Sequence, residues 1–148
     1  MERALAVVDP TDAAKDLVRE AGTLAAGVGA DVVVIHVTTE DEYSGRREAM
    51  EAIPNGTTNY TPEEAEAGAT QFARDVAEET LSDVDVDYEA TGYLGKKAQK
   101  TLEAAEEHGC DHVFLAGRKR SPTGKAIFGD ATQQVILDFD GPVTVLTS

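Results

Sequence analysis

The chain predicts an α/β fold, a five-stranded parallel sheet in the order 3-2-1-4-5 with helices on both faces. Two observations carry the prediction. Short apolar runs, "RALAVV" at 3–8, "VVVIHV" at 32–37, "HVFLAG" at 112–117 and "PVTVLTS" at 142–148, recur along the 148 residues, as in strands buried on both faces. Segments of helical periodicity separate them, and right-handed crossovers between parallel strands distribute such helices over both faces.

The first strand, 3–8, stops at Asp9-Pro10-Thr11. Leu17, Val18, Ala21, Leu24, Ala25 and Val28 then recur at helical spacing, and Gly27, Gly29 and Ala30 supply the stop before the second strand at 32–37. The polar stretch 39–60, with Gly45, Pro54 and Gly56, reads as a connection longer than most compact-domain loops, either a mobile insertion or the cover of a site. "TPEE" at 61–64 places a Thr cap, a Pro at the first helical position and a Glu at the third, and opens a helix with Ala65, Ala69, Phe72, Val76 and Ala77 on one face.

"VDVDYEAT" at 84–91 alternates with period two, the pattern of a half-exposed edge strand. A short helix over about 96–108, the strand 112–117, a helix ending near Phe139 and the strand 142–148 complete five strands and four helices. Asp130, with Gln133 three positions on, is the expected cap of the last helix. One domain over 1–148 accounts for all of them.

Twenty-eight acids against 13 bases give a net charge of -15, which argues against nucleic acid or an anionic membrane as partner of the general surface. Such acidity suits a halophilic protein that must stay hydrated in molar salt. The Debye length there falls to about 3 Å, so an anion site must work through contact hydrogen bonds. No apolar run approaches the ~20 residues of a membrane helix. "MERALAVVDP" is interrupted too early for a signal peptide, and a cytoplasmic location is expected. The single cysteine, Cys110, is expected as a small buried hydrophobe.

In sheets of this order, ligands bind beyond the carboxyl ends of the strands where the order reverses, here after strands 1 and 4. Those strands end at "VDPT" and "AGRKRS". Seven of the 13 bases, Lys96, Lys97, Lys100, Arg118, Lys119, Arg120 and Lys125, fall within 30 residues at that edge. With loop amides and a helix N-terminus they would make an anion cradle. A solvated loop that balances neighbouring acids fits the charge pattern equally well.

A P-loop is excluded, because Gly117 and Gly124 have six residues between them and Ala126 follows Lys125. "VVDPTD" lacks the glycines of a dinucleotide fingerprint, and the third and fifth strands lack the acceptor Asp and the Lys of a phosphoacceptor receiver. His36, His108 and His112 have no acidic partners at metal spacing and read as structural. No nucleophile with a paired base can be assembled.

"VDPT", "GKKAQKTL", "DHVFLAGRKR", "IFGDATQQVI" and "GPVTVLTS" together resemble the universal stress protein family over the whole length, with Lys97 where the family has Pro. The resemblance implies the flavodoxin-like, adenine nucleotide alpha hydrolase-like fold and an origin in a halophilic archaeon fits the acidity. It further implies a homodimer paired through 142–148 and ATP or another adenine nucleotide, with or without Mg²⁺. Asp9 and the backbone near Val37 would meet adenine, and Pro10 and Thr11 belong to the same cofactor site. Gly117, Arg118, Arg120, Gly124, Lys125, Gly129, Asp130 and Ala131 would surround the phosphates.

Arg120 replaces the second glycine of the family's phosphate loop, and Asp130 replaces its hydroxyl. An ionised carboxylate accepts hydrogen bonds and repels phosphate. The expected function is nucleotide binding without efficient turnover in a stress response. The alternatives are a non-nucleotide dimeric module that contacts a regulator or transporter and, last, a slow ATPase.

Overall fold

The computed structural model describes residues 1–54, 60–117 and 128–147. Along them run β1 (Arg3–Val7), α1 (Asp12–Val28), β2 (Asp31–Thr38), α2 (Glu40–Glu51), α3 (Pro62–Leu81), β3 (Tyr88–Leu94), α4 (Lys97–Glu107), β4 (His112–Gly117), α5 (Asp130–Asp138) and β5 (Val143–Thr147). The strands form one parallel sheet in the order β3-β2-β1-β4-β5, as the sequence predicts.

Successive side chains of a strand leave opposite faces. Ala4, Ala6 and Val8 therefore join a core with α1 and α3, while Leu5 and Val7 join a second core with α4 and α5. Phe114 and Leu115 divide in the same way on β4. Cys110 lies in the second core at 8% exposure, and burial pushes its thiol up to about 11. Among the described residues no helix is long and apolar enough to cross a membrane.

Glycine fixes two junctions. Gly29 closes α1 at φ 71°, where its N–H reaches the Ala25 and Ala26 carbonyls in the left-handed cap that glycine favours. Gly92 lets α3 lie directly on β3: its N–H donates to Thr70 Oγ1 at 2.9 Å, and a Cβ at Gly92 would collide with the backbone of Ala69 and Thr70.

Three expectations are corrected. The expected connection after β2 holds a helix, α2 at Glu40–Glu51, which makes five helices among the described residues where four were expected. Thr39 Oγ1 accepts from Glu42 N (3.2 Å) and the Glu42 carboxylate accepts from Thr39 N (3.3 Å), a complete capping box. The third strand begins at Tyr88 and not at Val84, since Val84 N is bonded to Leu81 O in the turn leaving α3, and pairing with β2 starts at Val32↔Tyr88. Finally, Gly129, with φ -65° and ψ 159°, is the N-cap of α5, and Asp130 is its first helical residue, without a side-chain cap bond.

The three histidines serve the fold. His36 Nδ1–H donates to the Val8 carbonyl (2.7 Å), His108 Nε2 meets Tyr93 Oη (3.1 Å), and His112 Nε2 meets Thr144 Oγ1 (2.7 Å). Among the described residues no group of three His, Cys, Asp or Glu is placed to hold a metal ion.

Candidate functional site

A cleft of about 1260 Å³ opens at the carboxyl edge of the sheet, where the strand order reverses between β1 and β4. Its first wall is the turn after β1. Val8 N still donates to Ile35 O (2.8 Å), Pro10 cannot continue the ladder, and Thr11 N folds back to Asp9 O (2.8 Å), which starts α1. Asp9, Pro10, Thr11 and Asp12 consequently face the cleft. The second wall is Ala116 and Gly117 at the end of β4, with Gly129, Asp130 and Ala131 at the start of α5. A Cβ on Gly117 would press on Val145 Cγ1 at 2.8 Å and on the Phe128 ring at 3.3 Å, so glycine permits this close approach.

The helix starts divide by position. At Thr61 of α3 and Thr39 of α2 the hydroxyl accepts from the N–H three residues on, each at 3.2 Å. At Thr11 of α1, Lys96 of α4 and Gly129 of α5 no side-chain cap bond is made among the described residues. Those three helices all send first-turn residues to the cleft: Asp12 and Ala13, Lys97, and Asp130 and Ala131. First-turn N–H groups have no partner inside their own helix, and the dipole adds positive potential there. Three uncapped ends on one cleft make a donor-rich wall.

The charges run the other way. Asp12, Asp16, Asp41 and Asp130 line the cleft, and Lys97 is its one cation among the described residues. Lys97 Nζ contacts Asp9 Oδ1 at 2.8 Å, both side chains being partly buried. Of the other two lysines expected in the cradle, Lys100 pairs with Glu103 at 3.3 Å, and Lys96 is the exposed N-cap of α4.

The structure thus brings together Asp9, Pro10, Thr11, Gly117, Gly129, Asp130 and Ala131 of the expected site. The Val37 side chain is 4% exposed within the second core, and near it Thr39, just past the end of β2, lines the cleft. Arg118, Arg120, Gly124 and Lys125 lie outside the described residues. Asp41 was not foreseen as a cleft residue, and Lys97 was expected in the cradle but not as the partner of Asp9. Lys97 carried a signal, standing where the resembling family has Pro, but its partner is 88 residues away in sequence.

No curated protein matches the chain. Among solved structures, a universal stress protein from Archaeoglobus fulgidus is 23% identical, with 98% of this chain and 97% of that one covered and a TM-score of 0.64. UspA from Lactobacillus plantarum is 18% identical over 98% of this chain and 97% of its own, with a TM-score of 0.72. The universal stress protein from Archaeoglobus fulgidus in complex with dAMP is 17% identical over 98% and 96%, with a TM-score of 0.59. These likenesses speak for the fold. The model of the Universal stress protein family matches residues 1–147, and the chain belongs to that family.

Proposed function

We propose that the chain binds an adenine nucleotide, ATP foremost, at the strand 1/strand 4 edge and does not turn it over efficiently in its stress-response role. The observation that carries this reading is the set of three uncapped helix starts on one cleft. Unpaired N–H groups at helix starts are hydrogen-bond donors suited to phosphate oxygens. They act at contact range, which molar salt screens least. A similar protein is seen in complex with dAMP.

Asp130 and the other cleft acids repel an anion, and the compensating charge in this reading comes from Arg118, Arg120 and Lys125. Mg²⁺ would enter on the phosphates and keep most of its waters, as it commonly does beside phosphates. Asp9, already held by Lys97, has one oxygen engaged and is poorly placed to activate water.

The deciding experiment is calorimetric titration with ATP, AMP and sulfate in molar potassium chloride, together with phosphate release. Saturable ATP binding that Arg120→Ala weakens more than tenfold, with phosphate release at background, is expected. Silence with ATP in folded, ligand-free protein would overturn the reading.

The acidic lining favours one second reading, a non-nucleotide module that contacts a protein regulator or transporter. Nucleotide retained through purification would count against it. Both readings include a homodimer. β5 is an edge strand with β4 on one side only, and Ile136 and Leu137 of α5 are exposed. Pairing β5 with its copy covers the open edge; sedimentation at monomer mass in high salt would defeat this.

A further inference from the structure

We infer that a second cavity, separate from the phosphate cleft, binds a neutral planar heteroaromatic ring of the nucleobase class. It lies between the end of β2, α2 and α3, measures about 290 Å³, and among the described residues shares only Pro10 with the cleft. The inference stands whether or not the cleft holds a nucleotide.

His36 marks the site. It is 8% exposed, and its Nδ1–H is spent on the Val8 carbonyl at 2.7 Å. With Nδ1 carrying the proton, Nε2 of the neutral ring is an acceptor. No described residue bonds to Nε2, although the residue lines the cavity. Nε2 is open to the cavity and not sealed in the core, so it can accept a hydrogen bond from an occupant.

The remaining walls narrow the chemistry. Phe72 packs edge-on to His36, with ring centroids 4.7 Å apart, and Tyr60 contributes a second aromatic ring. Arg46 and Glu42 of α2 place one cation and one carboxylate at the rim. Their charges cancel, which disfavours a strongly charged occupant. The guanidinium offers donors, while the imidazole and carboxylate offer acceptors. A flat ring that carries both kinds of group without net charge matches this set, and nucleobases are such rings. At this volume a base or nucleoside fits, whereas larger ligands occupy pockets of about 300 to 1,000 Å³.

Gly68 supplies the test. It lines the cavity from α3, it is helical, and a Cβ there meets no atom within 4 Å. Gly68→Leu therefore adds a bulky side chain at the cavity wall without a clash at Cβ. The full chain, with labelled histidine, is titrated with adenosine, guanosine, cytidine and uridine while the His36 ring signals are followed by NMR. At least one nucleoside is expected to give a saturable shift at His36. Gly68→Leu should weaken that binding at least tenfold and change ATP affinity at the cleft less than twofold. Should Gly68→Leu not fold, Arg46→Gln is expected to weaken the same nucleoside about fivefold. No saturable His36 shift with any of the four, or a shift that neither variant weakens, overturns the proposal.

Discussion

Helices α2 and α3 begin with nearly the same signal and end in opposite environments. Thr39 and Thr61 each accept the N–H three residues on, and acids fill both first turns. Yet α3 buries seven residues against the sheet, and α2 buries none. What holds α2 is Tyr60: Tyr43 Oη donates to the Tyr60 carbonyl at 3.0 Å, and the Arg46 guanidinium sits 5.1 Å from the Tyr60 ring centre. A cap can start a helix, but in proteins a buried face supplies most of the helical stability. The marginal helix is also the one that walls both cavities, through Thr39 and Asp41 on one side and Glu42 and Arg46 on the other. Elements that border ligands are often drawn from the low-stability end of a fold.

The largest way to break the contrast is at Gly92. Gly92→Ala drives a methyl into the α3 backbone and is expected to cost about 3 kcal/mol in urea unfolding, because a close backbone contact cannot relax as a side chain does. A loss below about 1 kcal/mol would mean that α3 is not the rigid partner its packing indicates.

The mirror experiment is Thr39→Ala, which removes the cap of α2. The expected cost is about 1 kcal/mol and local, so hydrogen exchange over 40–51 should speed up roughly fivefold while the global unfolding midpoint stays put. A shift of the global midpoint would show that α2 unfolds with the rest.

The smallest effect sharpens the packed side alone. Tyr93 on β3 is pushed up to about 12, chiefly by burial and then by Glu107 nearby. A phenol raised above its usual ~10 contributes stability fully below pH 10 and loses it as pH climbs toward 12. Tyr93→Phe should flatten that alkaline decline, measured as unfolding free energy between pH 9 and 12, while exchange in α2 keeps its pH profile.

The legibility of the fold follows the same contrast. β1, β2, β4, β5 and α3 were readable because buried faces write apolar runs or a helical period into the chain. An unburied helix writes no such period, so α2 left only its Thr39 and Glu42 capping pair as a trace. The 84–87 alternation misled because Val84 and Val86 pack against the first core from a turn. At the site, topology alone pointed to Asp9 and Gly117. The Lys97–Asp9 contact was invisible, since it depends on how α4 sits against the β1 turn. Asp130 and Gly129 are both sound cap residues, and only the backbone turn at Gly129 decides between them.

Cys110 carries a consequence for signalling. The thiolate is the form of cysteine that oxidants and disulfides attack, and a thiol raised to about 11 and packed between β4 and α4 stays protonated near neutrality. As the chain's one sulfhydryl, it leaves this stress protein with no ready thiol to record peroxide or a shift in glutathione poise. A redox signal through this thiol would first require the second core to open.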